Sequence, residues 1–429
     1  MCAKTVVLVA RAFAPVKAIA VERVSKIARS FSQEGWKVIV VTIDQSDIKQ
    51  EFFDDSRMEF IQRHNIEVIR TRYRLKDTFY LYKSSGSFKS YALKAVGRVA
   101  FSLGFDNSIG WIVDLTRKLQ EITDERKIDL IVSSGSPFVS FYATYKVAKS
   151  KKIPYVLDFR DLWYAQPHSR RNFIQNFMIK CAEKMFMDSA ALVTTVSDGC
   201  RIKLGENTTT KQINVLYNLP DLEYIDEIVN LESDALSADI GIDNSFFNLV
   251  YTGTLYEGRD LTSIAAAICL LDPQLRKNLR VHYFGSRGDV AIDNFQNYNL
   301  EHLVVVHGNV PKKTALLSLY QADLLISVIH NDIISQDESV RGIVTTKIFD
   351  YIIINKPVIN VAPQDSEIRD LLQKIDSELV RSCSSDELEQ ISSFIQQVAS
   401  GDIVNTYQPD MHKLDWHRAC VTKLIEGGF

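Results

Sequence analysis

A lysine and an aspartate open the most informative stretch of the chain. Lys347 and Asp350 lie three residues apart at the start of a run whose apolar residues, Ile348, Tyr351 and Ile352, recur at helical spacing. Both side chains can therefore face one site. Thr345 and Thr346, just before them, are good N-cap types. Amides at a helix N-terminus and the helix dipole favour an anion, so Thr346 and Lys347 are candidates to receive phosphate, with Asp350 facing the same site. A second candidate cradle is Tyr251-Thr252-Gly253-Thr254 with Arg259 beyond it. Gly253 permits close backbone approach, and an arginine can clamp a diphosphate bidentately. Gly285 and Arg287 end another strand; Arg287 is either a further phosphate or base contact or a residue of a surface turn. In the first half, Asp158, Arg160 and Asp161 crowd one strand end. Each carboxylate could bond an acceptor hydroxyl or hold Arg160, and a structural Asp–Arg pair is the alternative.

The elements that must position these groups alternate. Thr5–Val9 and Lys37–Ile43 read as strands around a helix from Ile19 to Glu34, a βαβ opening. Strands follow at Lys127–Ser133, Ile153–Phe159 and Ala191–Val196, with helices at Trp111–Arg126, Phe138–Ser150 and Asn172–Met187, the last with a basic-aromatic face. Asp221 to Asn244 is acidic and lacks a strand signal, so it reads as a linker. Phe247–Leu255, Leu279–Phe284, His302–His307, Ala322–Val328 and Val358–Val361 then read as strands of a second α/β domain. Asn355 suits a left-handed helix end and Pro357 stops the helix. A long polar loop, Ile329–Thr346, enters it. Ligands of such sheets bind beyond the strand ends.

At 429 residues, 46% apolar, the chain has ample core for two or three domains, and its net charge of −3 gives no nucleic-acid bias. Six scattered cysteines without a CxxC pair suit a reducing compartment and no zinc site. None of the eight histidines forms a ligand motif. The first strand begins almost at once, without a signal-peptide pattern, and no apolar run reaches membrane-spanning length. The expectation is a cytoplasmic protein, free or on a membrane surface. From Arg70 to Arg98, basic residues interleave with Phe79, Tyr80, Tyr82, Phe88 and Tyr91, and an apolar tract to Leu103 follows. That reads as a membrane-interface segment, with single-stranded nucleic acid or a solvated connection as rivals.

The stretch Thr345-Thr346-Lys347-Ile348-Phe349-Asp350-Tyr351 through Lys356-Pro357-Val358-Ile359 resembles the donor-site segment of GT-B glycosyltransferases, especially glycosyltransferase family 4. Tyr251 to Arg259, Gly308-Asn309-Val310-Pro311 and Asp158-Phe159-Arg160-Asp161-Leu162-Trp163 resemble further family segments, the last in a subgroup that builds bacterial surface polysaccharides. The resemblance implies two Rossmann-like domains facing a central cleft: an acceptor-side domain over 1–220, a nucleotide-sugar domain over 221–406, and a C-terminal helix over 407–429 returning to the first. It implies a retaining, metal-independent glycosyltransferase without a cofactor. The donor would be a nucleotide-diphosphate sugar, a UDP-sugar foremost, and the acceptor a glycan or polyprenyl-linked glycan at the inner membrane leaflet, in surface polysaccharide synthesis. Arg259 and Lys347 would neutralise the leaving diphosphate, Asp350 would bind ribose, and Gly253, Thr254, Gly285, Arg287, Val310 and Thr346 would line the donor site. Arg160, Asp161 and Asp158 would serve the acceptor side and catalysis. The pattern departs from the family at three places. Gly342 stands where the first Glu of the Glu-Glu signature falls, with Glu338 nearby; Arg160 stands at the usual His; and Val16-Lys17-Ala18-Ile19 replaces paired glycines. A GT-B sugar-nucleotide epimerase and an inactive GT-B binding subunit are the alternatives.

Overall fold

The computed structural model describes residues 3–403 apart from 17–18, 46–47, 49–52, 54–55, 73–107, 167–170, 210–212, 219–221, 236–237, 336–337 and 376–377. The expected helix over 407–429 and most of the Arg70–Leu103 segment lie outside the described residues. The chain forms two compact units that part between Tyr217 and Asn218.

The first unit is a seven-stranded sheet in the order β3-β2-β1-β4-β5-β6-β7. Its strands are β1 (Thr5–Val9), β2 (Lys37–Ile43), β3 (Glu67–Thr71), β4 (Leu130–Gly135), β5 (Tyr155–Phe159), β6 (Leu192–Thr195) and β7 (Ile213–Val215). All neighbours run parallel. Near-continuous apolar strands follow from that arrangement, because helices cover both faces. Val6, Leu8, Val38, Val40, Val132 and Val156 pack one face, and Val7, Val9, Ile39, Val41, Ile131 and Leu157 the other.

The second unit is a six-stranded parallel sheet, β10-β9-β8-β11-β12-β13. It comprises β8 (Phe247–Thr252), β9 (Leu279–Phe284), β10 (Val304–Val306), β11 (Leu324–Val328), β12 (Val358–Val361) and β13 (Val380–Cys383). Both sheets are doubly wound, and their order reverses direction between β1 and β4 and between β8 and β11. The acidic stretch read as a linker instead carries the helices Leu222–Val229 and Glu232–Ala235. Ile225 and Ile228, three apart, are buried, and the Tyr320 hydroxyl donates to the Ile228 carbonyl at 2.8 Å. Within the long loop before Lys347, Glu338–Arg341 form a short helix; the Glu338 side chain lies outside the description. Arg70, the start of the basic-aromatic segment, turns its guanidinium back onto Gln45 and the Ala14 carbonyl.

Candidate active site

The reversal between β8 and β11 in the second unit gathers most of the predicted donor residues. β8 ends at Thr252, and Gly253 follows at φ +130, a conformation that side-chain-bearing residues rarely adopt. A β-carbon at Gly253 would fall 1.5 Å from the Lys347 Nζ. The lysine therefore lies directly over bare backbone. Gly285, at the end of β9, is equally constrained: a β-carbon there would sit 2.0 Å from the Gly253 carbonyl oxygen and 2.4 Å from the Tyr283 hydroxyl. Two glycines thus let adjacent strand ends close into a backbone floor.

Lys347 opens the helix Lys347–Ile354. Its Nζ is 5.3 Å from the centre of the Tyr251 ring. Burial, then the Arg259 charge, lowers its pKa to about 8, while Asp350 in the same first turn opposes the shift. Thr346 occupies the N-cap position in helical conformation, and its hydroxyl caps nothing. This corrects its expected capping role. At the other end Asn355 takes the left-handed conformation, φ +60, that its type predicts. The Tyr351 hydroxyl meets the Thr252 hydroxyl at 3.1 Å, locking the helix to β8, and burial pushes that phenol up to about 12.

Arg259 is held from three sides. Its Nε donates to the Ile329 carbonyl at 2.9 Å, its guanidinium lies 4.9 Å from the Tyr256 ring centre, and Arg259 and Tyr256 exchange backbone bonds of 3.1 and 2.8 Å. The turn before it needs Gly258, at φ +79, because the His330 ring packs where a side chain would begin. Asn331 clamps the same turn, donating from its backbone to the Gly258 carbonyl and from its side chain to Asp260, both at 2.7 Å. Among the described residues neither Arg259 nor Lys347 makes an ion pair. Two cations are thus fixed near one another around a glycine floor, a charge arrangement that a polyanion relieves.

Thr254 lies exposed beside Gly253, and Asp350 and Val310 are half-buried. Arg287, read as either a phosphate or base contact or a surface-turn residue, precedes the helix Gly288–Gln296. It is exposed, and its guanidinium bonds Asp289 at 3.2 Å. Tyr351 and His330 were not foreseen as site residues, and neither was the packing of Lys347 on the Tyr251 ring; a tyrosine in an apolar strand carries no local signal of what will rest on its ring.

In the first unit, Asp158 is fully buried and its carboxylate is saturated. Arg23 reaches it at 2.6 and 3.0 Å, the Ser134 hydroxyl at 2.7 Å and the Thr194 hydroxyl at 2.8 Å. Burial pushes this carboxyl up, but Arg23, Ser134 and Thr194 outweigh it and hold the group below its ordinary value. The expected catalytic role for Asp158 is therefore replaced by a structural one: it anchors Arg23, whose other nitrogen ties down the Leu216 carbonyl at 2.7 Å. Arg160 bonds the loop after β4, with its Nε 3.2 Å from the Gly135 carbonyl and its terminal nitrogen on the Ser136 carbonyl. Asp161 is exposed at the tip, yet its surroundings are crowded enough that desolvation raises its carboxyl, with Arg160 opposing. Of the three residues, Arg160 and Asp161 remain available to a ligand.

No family model matches the chain, and no curated protein matches it in sequence. Solved structures do match its fold. Sucrose-phosphate synthase from Thermosynechococcus elongatus aligns with TM-score 0.60 at 12% identity, over 99% of this chain and 98% of that one. Anabaena HepE, solved with UDP and glucose, aligns with TM-score 0.59 at 13% identity, over 99% and 98%. The lipopolysaccharide outer core galactosyltransferase WaaB aligns with TM-score 0.52 at 12% identity, over 98% and 95%. The chain therefore has the GT-B fold of these glycosyltransferases.

Proposed function

We propose that this protein is a glycosyltransferase that takes a sugar from a nucleotide-diphosphate donor, a UDP-sugar foremost, and transfers it to a glycan or lipid-linked glycan of the cell surface with retention of configuration. The observation that carries this reading is the pair of cations, Arg259 and Lys347, held without an ion-pair partner among the described residues over the glycine floor at Gly253. As the glycosyl bond stretches, negative charge grows on the departing diphosphate. Donors already aimed at that charge, in a partly dehydrated site, lower the barrier without reorganising. Arg259 can meet the diphosphate with two parallel N–H bonds, and Lys347 with a point charge. These two residues supply the electrostatic role in this reading. The open N-terminus of the helix at Lys347 adds amide donors. Asp350, one turn in, is assigned to the ribose hydroxyls, and Gly285 and Val310 to the donor site walls. Arg160 and Asp161 are assigned to the acceptor. The Anabaena relative in fold was solved with UDP, which makes uridine the first base to try.

The test is release of nucleoside diphosphate from UDP-, GDP- and dTDP-sugars in the presence of membrane lipid extract. Turnover with one donor, dependent on lipid and lost in both Arg259→Ala and Lys347→Ala, supports the assignment. Turnover that survives both substitutions places the diphosphate elsewhere, and absence of nucleotide binding by the wild type sinks the reading.

A further inference from the structure

Beside the two cations lie two rings to which the diphosphate assignment gives no role. The first belongs to Tyr256. Its backbone is held to Arg259 by a bond in each direction, and the Arg259 guanidinium lies over its ring. Tyr256 is nonetheless 45% exposed. A large aromatic surface is thus fixed in place and left partly open next to the candidate diphosphate site.

The second ring is His330, two residues beyond β11. It lies over bare backbone at Gly258 much as Lys347 does at Gly253: a β-carbon at Gly258 would fall 2.5 Å from the His330 Nε2. The two ring nitrogens can be told apart. Nδ1 accepts from the Asp332 amide at 3.2 Å and lies 3.4 Å from the Asp332 carboxylate. A nitrogen that accepts carries no proton, so the neutral ring holds its proton on Nε2. In the charged ring both nitrogens carry protons, so Nε2 is a donor in either state. Among the described residues nothing accepts from it, and the side chain is 20% exposed.

Both rings belong to one hydrogen-bonded frame. Asn331, next to His330, already clamps the Gly258 turn. Its carbonyl accepts from the Ser385 hydroxyl at 2.5 Å, the Ile333 carbonyl accepts from the Gln364 amide at 2.7 Å, and the Ser335 amide donates to Asp365 at 2.8 Å. Groups held this way need little ordering when a ligand arrives.

The order of the sheet says which part of a donor would reach them. Gly285 and Val310, assigned to the nucleotide walls, follow β9 and β10, and the diphosphate is assigned to Gly253 at the end of β8. In the order β10-β9-β8-β11, the group beyond the diphosphate comes next to the end of β11, where His330 and the turn at Tyr256 lie. A pyranose offers a face of C–H groups and a rim of oxygens that accept hydrogen bonds. An open aromatic surface and an unused N–H donor match those two features. We infer that Tyr256 and His330 form the subsite for the donor's sugar: the pyranose packs on the open part of the Tyr256 ring, and one of its oxygens accepts from the His330 Nε2. Both residues bind and position the sugar, and neither makes or breaks a bond. This assignment rests on the nucleotide-sugar reading and deepens it.

The experiment is calorimetric titration of the full chain with nucleoside diphosphates and their sugar esters: UDP against UDP-glucose and UDP-N-acetylglucosamine, and GDP against GDP-mannose. The readout is the ratio of the two dissociation constants, because an effect on Arg259 or on the fold acts on both ligands and cancels. For the ester that wild type binds most tightly, Tyr256→Ala and His330→Met should each weaken the ester about five- to tenfold more than its parent diphosphate. Tyr256→Phe should keep the ratio within about twofold, and His330→Gln, which retains an N–H donor, should recover most of the loss. A His330 that only fills the Gly258 turn would lower melting in the Met and Gln variants alike and leave the ratio unmoved. A ratio within about twofold of wild type in either Tyr256→Ala or His330→Met overturns the subsite while the diphosphate site stands. Wild type that binds neither UDP nor GDP overturns the nucleotide-sugar reading and the subsite together.

Discussion

If Lys347 receives the diphosphate, as proposed, its ammonium makes nucleotide binding depend on pH in a calculable way. Burial and Arg259 lower its pKa from 10.5 to about 8. At pH 7 the side chain is then about nine-tenths charged, and at pH 9 about one-tenth. A bound diphosphate restores the charged form. Its own last ionisation lies near pH ~6, so its charge is constant over this range. Arg259 stays protonated throughout. The dissociation constant of a nucleoside diphosphate should therefore weaken about tenfold between pH ~7 and ~9, approaching a factor of ten per pH unit above the free lysine's pKa. If binding recovers the whole shift, it gains roughly 3 kcal/mol from this residue, an upper limit because the ammonium is partly open to water. Calorimetric titration of UDP across the range measures the slope, and proton uptake on binding above pH ~8 measures it independently. Lys347→Met should bind more weakly and show no slope. A flat wild-type profile, or the same slope in the variant, refutes the reasoning. The lysine also has a mark on the free protein. A lowered lysine pKa costs stability while the group is charged in the fold, so the apo protein should gain stability as pH rises from about 8 toward 10.5. Lys347→Met should lose that gain in denaturant titrations.

Further outcomes follow from the same geometry. Gly253→Ala places a β-carbon on the Lys347 Nζ and strains a backbone at φ +130, so UDP affinity should fall by one to two orders of magnitude, and melting should drop by the equivalent of about 1–3 kcal/mol. Asp158→Ala leaves Arg23 buried without its carboxylate and should cost about 3–5 kcal/mol in urea unfolding. Asp161→Asn, at an exposed site, should leave unfolding within about 0.5 kcal/mol and lower transfer to acceptor while UDP binding holds. Arg287→Ala removes a surface pair and should change UDP affinity by less than about 1 kcal/mol, measured by the same titration.

Local patterns were the most legible. Strands at Thr5–Val9, Lys37–Ile43, Leu279–Phe284 and Val358–Val361 are read with their observed bounds, because unbroken apolar runs between turn residues leave a parallel strand few alternatives. The helix at Lys347 and the left-handed turn at Asn355 were legible for the same reason. What failed was long-range. The partner of Asp158 is Arg23, 135 residues away, and nothing around either residue announces the other. Arg160, adjacent in sequence, was the nearer candidate and bonds carbonyls instead. Gly253 was legible as a point of close approach, but the group that approaches it, Lys347, comes from another strand connection altogether. The helix Leu222–Val229 was hidden by its acidic composition, with Ile225 and Ile228, among the described residues, marking its buried side. The helix Phe173–Ser189 was legible as basic and aromatic, while which face its phenylalanines occupy depends on what packs behind it.

The central claim is that Arg259 and Lys347 together hold the donor diphosphate over Gly253. A crystal structure of the protein with UDP tests it most directly. The account predicts diphosphate oxygens within about 3 Å of both the Lys347 Nζ and the Arg259 guanidinium, with the Gly253 backbone beneath them. A diphosphate bound away from both cations, with Lys347 still lying on Gly253 as in the free protein, would contradict it.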